Sequence, residues 1–390
     1  MSEASAPLIF LIAGEHSGDA LGAKVIAGLK QATGGHARIA GIGGPEMAEE
    51  GLESLFPMRE LAIMGLLEII PHIPRVLRRI EQTVKAIEEM RPDAVLTIDA
   101  PGFCFRVAKK LQGRGIPLVH LVAPTVWAWK PKRAEKIAKF LDHLLVILPF
   151  EPPYFTKHGL STSYVGHPVV ENPAGDGAAF RARHGIPAEA PLLAVLPGSR
   201  RGEIERLLPP FGETIRQLAG RHPGLRIAVP AVDSLRGQIA GAVQDWPVPV
   251  TLCDGATEKA DLFAAAYLAL SAAGTAVLEL VLAGVPTVAA YKVNPLSYRI
   301  ALRLVSLKRY TLPNILLDRE IVPELIQDNC TADRLDAALE ALLIDPAARA
   351  RQIEAGGQLR ELLGGSGPVP SRRIAEKLLA IAGECAKSRS

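Results

Sequence analysis

Apolar residues along this chain gather in short unbroken runs closed by Gly, Pro or Asp, and the stretches between runs repeat apolar positions at three- and four-residue intervals. Runs without polar alternation are strands buried on both faces, and the intervening period is that of helices packed over them. The pattern therefore predicts parallel sheet covered by helices almost throughout. In the first half, Leu8–Ala13, Arg38–Ile42 and residues 94–99, 118–123, 144–148 and 163–165 read as strands. A Pro- and Gly-rich break from Glu171 to Gly177, continuing to Pro187 and Pro191, interrupts the rhythm and marks a boundary. A second series follows at Leu192–Leu196 and residues 226–229, 250–252, 267–270 and 287–290. The expected architecture is α/β, with two Rossmann-like doubly wound domains facing across a cleft. They span residues 1–175 and 188–365, and a final helical segment, 366–390, could pack back on the N-terminal domain.

Composition narrows the function classes. Lys+Arg 44 against Asp+Glu 41 leaves +3 over 390 residues, so no general electrostatic attraction to nucleic acid is expected. Hydrophobic residues make up 48%, yet no run approaches the roughly 20 apolar residues of a membrane span. Contact with a membrane is compatible with this; crossing is not. The segment from Leu61 to Pro71 is apolar on more than one helical face and is followed by Arg75, Arg78 and Arg79. Buried core is the plain explanation of such a run. An apolar patch bordered by arginines also suits an anionic bilayer surface, with Ile63, Met64, Leu66, Leu67, Ile69 and Ile70 in contact. The N-terminus has no basic region before its first apolar run, so a cytoplasmic location is expected. Cys104, Cys253, Cys330 and Cys385 lie far apart, and the histidines show no ligand spacing. Neither a disulfide framework nor a metal site is predicted.

Each half opens with a strand, a Gly-containing turn and a helix: Gly14-Glu15-His16-Ser17-Gly18-Asp19 first, Pro197-Gly198-Ser199-Arg200 second. Neither is G-x-G-x-x-G, and no P-loop pattern occurs, which removes the dinucleotide and kinase signatures. A nucleophilic Ser17 is disfavoured because G-x-S-x-G is absent; Asp19 reads more simply as a cap near the start of a helix over 20–33. The second turn sets an arginine and free backbone N–H groups at a strand end, which suits a phosphate. Gly274 and Thr275 open another helix, and Glu279 follows one turn later on the same face, where a carboxylate can accept both hydroxyls of a ribose. Trp127 and Trp129 flank Ala128 after a strand, beside a basic helix; packing at a domain face competes there with a ligand role.

Together these motifs resemble the lipid-A-disaccharide synthase family of glycosyltransferases over nearly the whole chain. The resemblance rests on Ala13 to Asp19, Met64-Gly65, Ile98-Asp99-Ala100-Pro101, Pro124 to Trp129, Gly166-His167-Pro168, Leu196 to Arg200, Gly274-Thr275 with Glu279, and Leu312-Pro313-Asn314. It implies a GT-B fold whose C-terminal half holds the UDP-sugar and whose N-terminal half holds the acceptor. The implied reaction joins UDP-2,3-diacylglucosamine to 2,3-diacylglucosamine 1-phosphate with inversion at C1, giving a β-1,6 disaccharide 1-phosphate and UDP, on the inner face of the inner membrane. Inversion needs a general base, for which Asp99 is the first candidate and Glu15 and His16 the reserves. Gly198, Ser199, Arg200, Gly274, Thr275, Glu279 and Asn314 are expected at the donor, with Arg299 or Arg303 assisting and no divalent ion. Gly14, Ser17, Asp19 and Trp127 are expected at the acceptor, with an anionic membrane surface as partner and no nucleic acid. Gly102, Ala273 and Ala123 depart from the family pattern, Gly102 by removing a carboxylate near the base. The alternatives are another UDP-N-acetylglucosamine enzyme, a MurG-like transferase or an epimerase, and a two-lobed solute-binding protein.

Overall fold

The computed structural model describes residues 6–61, 73–294, 298 and 308–389, the last four through their backbone alone. It divides into two units, Met1–Glu171 with Leu363–Ser390, and Asn172–Leu362.

The first unit holds β1 (Leu8–Ala13), β2 (Arg38–Ile42), β3 (Ala94–Ile98), β4 (Leu118–Leu121), β5 (His143–Val146) and β6 (Ser161–Tyr164), all parallel in the order β2-β1-β3-β4-β5-β6. Alternation along β1 explains why the run is apolar at every position. Phe10 and Ile12 enter one core with Phe103 and Phe140, and Ile9, Leu11 and Ala13 enter another with Val25 and Leu29. Helices therefore cover both faces: α1 (His16–Ala32) on one, and α3 (Ile73–Met90) with α4 (Pro101–Leu111) on the other. A shorter helix, α2 (Pro45–Glu49), lies against α1. The terminal helix Pro370–Arg389 packs along α1 and adds Ile374, Ala375, Leu378 and Ala382 to that core. Gly28 makes the approach possible, since a Cβ there would sit 2.8 Å from the Ser371 carbonyl.

The second unit orders its strands β12-β11-β10-β7-β8-β9, from β7 (Leu192–Leu196), β8 (Arg226–Ala231), β9 (Val250–Asp254), β10 (Leu268–Ala272), β11 (Thr287–Tyr291) and β12 (Glu324–Ile326). Counted from its own first strand this is 3-2-1-4-5-6, the Rossmann order. No helix among the described residues is long and apolar enough to cross a membrane.

Candidate active site

Ligands of open parallel sheets gather where the strand order reverses, beyond the carboxyl ends of the strands. In the first unit that point lies between β1 and β3. The β1 loop carries Gly14 to Ser17 and the β3 loop Asp99 to Pro101, so topology brings two separate sequence motifs together. They touch: a Cβ on Gly14 would lie 2.7 Å from Ala100 Cβ, a spacing only glycine permits. Asp99 and Ala100 both hold left-handed backbone, φ 46° and 42°. Such conformations cost roughly 1–3 kcal/mol each for residues with a Cβ and gather at functional sites. They turn the chain sharply off β3 into α4. Partial burial, and secondarily the Asp99 carboxylate, push the Glu15 pKa above the usual carboxylate value. Glu15, His16 and Ser17 are exposed at the start of α1.

Asp19, expected at the acceptor, has a structural task in the fold. Helix α1 begins at His16, so Asp19 lies inside it, 1% exposed. Its carboxylate accepts the Gly44, Glu46 and Met47 N–H groups at 2.7, 3.0 and 3.1 Å, capping α2 from a neighbouring helix. Both oxygens are engaged in this cap. Trp127 is half-buried, its ring edge-on to Phe150 and its Nε1 donating to Glu151 at 3.3 Å. Glu151 is 2% exposed, and burial pushes its pKa up to about 7. No sequence motif singled it out, because its significance lies in the partner it meets.

In the second unit the reversal falls between β7 and β10. The Gly198-Ser199-Arg200 turn follows β7 and the Gly274-Thr275 turn follows β10, again joining motifs far apart in sequence. Gly198 has φ 108°, and the Arg200 side chain is 75% exposed. The expected free N–H groups of the first turn are partly engaged, since Glu203 accepts from Ser199 N at 3.2 Å and pairs with Arg200 at 2.9 Å. Thr275 opens the helix Thr275–Leu282, and Glu279 stands one turn on, 19% exposed. Its Oε2 lies 2.7 Å from Lys259 Nζ, an ion pair by distance, but it is buried without an aligned hydrogen bond. Lys259 belongs to no motif and is legible only in space.

Asn314, expected at the donor, is buried in its own loop. It is 1% exposed, and its amide donates to Val322 O at 2.8 Å and accepts from Ile321 and Val322 N at 2.7 and 3.0 Å. It fastens its own loop. Arg299 and Arg303 lie outside the described residues. So do Ile63, Met64, Leu66, Leu67, Ile69 and Ile70. Arg75 and Arg78 are exposed on α3, interleaved with exposed Ile73 and Leu77. Arg79 is not free for a membrane: it grips Glu60 through two nitrogens at 2.9 and 2.7 Å and lies 4.6 Å above the Phe56 ring. Among the described residues no three His, Cys, Asp or Glu side chains come together as metal ligands.

Two doubly wound units, each with polar loops at its switch point, define a GT-B-type doubly wound α/β protein. Solved structures of that fold align over most of the chain. A UDP-GlcNAc 2-epimerase from Neisseria meningitidis, bound to UDP-GlcNAc, gives TM-score 0.62 at 13% identity, covering 91% of this chain and 99% of its own. MurG from Acinetobacter baumannii gives 0.58 at 16%, covering 96% and 99%. At such identities the likeness is of fold alone. Sequence is more specific: the profile of the lipid-A-disaccharide synthetase family matches residues 9–365, and the chain belongs to that family. The lipid-A-disaccharide synthase of Rhodospirillum centenum is 53% identical over 378 residues, 96% of this chain and 94% of its own. That of Paramagnetospirillum magneticum is 50% identical over 378 residues, 95% and 97%.

Proposed function

We infer that this chain is an inverting glycosyltransferase that joins UDP-2,3-diacylglucosamine to 2,3-diacylglucosamine 1-phosphate, releasing UDP and a β-1,6-linked disaccharide 1-phosphate. Family membership across residues 9–365 is the observation that carries the reading. It favours this reaction over an epimerase or a MurG-like transferase, whose structures share only the fold.

Asp99 is the base we assign. It takes the proton of the acceptor 6-hydroxyl as O6 forms its bond to C1, and the C1–O bond to the diphosphate breaks with its electron pair on UDP. Glu15, close enough to feel the Asp99 charge, is the reserve. Leaving-group charge falls to Arg200 and the N-terminus of the helix Thr275–Leu282. Glu279 accepts the ribose hydroxyls from its place one turn into the helix that Thr275 opens, partly exposed and paired with Lys259. The protein acts as a peripheral enzyme at the cytoplasmic face of the inner membrane, resting through Arg75, Arg78 and the apolar side chains between them. The test mixes purified protein with the two diacylglucosamine substrates and follows UDP release and the disaccharide phosphate by mass spectrometry. A protein that binds UDP but forms no product would refute the transfer reaction.

A further inference from the structure

Beside the Asp99 loop the first unit contains a pocket of about 330 Å³, at the lower end of the roughly 300–1,000 Å³ typical of small-molecule sites. Leu61, Val76, Pro101 and Phe103 make its wall mostly apolar, and Glu15 and Arg106 are its two charged lining residues. Arg106 is exposed and makes no hydrogen bond or ion pair among the described residues. It stands five residues after Pro101 on α4, about 7.5 Å along a helix that rises 1.5 Å per residue. A helical side chain leans toward the N-terminal end, so the guanidinium reaches back over the pocket. Gly102 lines the same space, and a Cβ built on it meets no atom within 4 Å.

We propose that this pocket is a lipid subsite for the acceptor: it takes an acyl chain of a phosphorylated, acylated sugar, and Arg106 reads the phosphate. The proposal deepens the reaction inferred above and rests on it. An apolar wall favours a methylene chain by removing it from water. A planar guanidinium with no competing partner matches two oxygens of a phosphomonoester. The two charges also orient the ligand. Glu15, with Asp99 beside it, repels an anion, so the phosphate goes to the Arg106 side and the neutral hydroxyl remains by the carboxylates. One pocket thus selects both ends of the acceptor and points its nucleophile toward the base.

Dodecyl phosphate, below its micellar concentration, is the probe, titrated calorimetrically into the full chain. Wild type is expected to bind it. Gly102→Trp should fill the space and weaken binding at least tenfold. Arg106→Gln should weaken dodecyl phosphate at least tenfold yet leave uncharged dodecyl glucoside within twofold. UDP affinity and thermal unfolding, unchanged in both variants, report an intact fold. In turnover, Gly102→Trp should raise KM for the long-chain acceptor, and an acceptor carrying two-carbon acyl groups should restore it. Unchanged dodecyl phosphate binding in Gly102→Trp would overturn the subsite, as would equal loss for long and short acceptors. Should wild type bind the probe through Gly102 and Arg106 yet release no UDP, the pocket stands and the transferase reading falls.

Discussion

Asp19 shows how a single buried charge can organise a loop. Three backbone N–H groups end on its carboxylate, and each buried donor left unpaired costs about 1–3 kcal/mol. Asp19→Ala should therefore lower the urea unfolding free energy by several kcal/mol at an unchanged slope. A loss below about 1 kcal/mol would mean that water takes over the three bonds. Asp99 should behave differently. Asp99→Asn is expected to lower kcat by about a hundredfold to ten-thousandfold, the usual contribution of a positioned base, with UDP affinity and thermal stability unchanged. A stable Asp99→Asn protein with near-normal turnover would transfer the role to Glu15 or His16. At Glu279, loss of hydrogen bonds to a charged group is worth about 1.5–3 kcal/mol. Calorimetry should show Glu279→Ala binding UDP about tenfold to more than a hundredfold more weakly; unchanged affinity would remove the ribose from this carboxylate.

At the scale of elements, the apolar runs locate the strands because a parallel sheet buried on both faces tolerates few polar residues. β1, β2 and β7 fall on their expected bounds. Where a run continues into a functional loop the pattern overshoots: residues 94–99 and 118–123 stop at Ile98 and Leu121, because Asp99 and Val122 turn into left-handed backbone, φ 46° and 76°. β12 was not foreseen, since three residues with one glutamate carry no apolar run. The motifs around Asp99 and Arg200 are legible from local sequence, and the topology places them at switch points. Asp19, Asn314 and Lys259 are not, because their roles depend on partners 7 to 28 residues away, or on another helix altogether. Asn314 provides the test at this scale. Asn314→Ala should speed amide hydrogen exchange at Ile321 and Val322, whose N–H groups it now accepts. If exchange holds steady while UDP affinity falls, the side chain meets the nucleotide directly.

The whole molecule joins two units of unequal response to acid. In the first unit, burial lowers the His120 pKa to about 3 and the His167 pKa to about 4, and also lowers that of His143. Each protonates first in the unfolded chain, near 6.5, so the stability it contributes above that pH is lost as pH falls from 6.5 toward 4. Glu151 acts oppositely: with its pKa raised to about 7, the folded form takes its proton first and gains as pH falls from 7 toward 4.5. Glu15 and Glu46, also raised, add to the glutamate side, but the two most deeply buried histidines, His120 and His167, carry the balance. Hydrogen exchange resolved by mass spectrometry should therefore show the first unit opening before the second between pH 6.5 and 4; the reverse order would contradict the neutral histidines. The terminal helix Pro370–Arg389 gives that unit a further peculiarity. Four of its side chains complete a core whose other members come from the opening of the chain. Synthesis runs from the N-terminus and domains usually fold as they emerge, but here the ribosome delivers the closing piece of the first unit last, after all of the second. The nascent β1 and α1 must wait with part of their apolar face uncovered, so a premature stop after Leu363 would release a chain whose second unit is whole and whose first is open to chaperones and proteases.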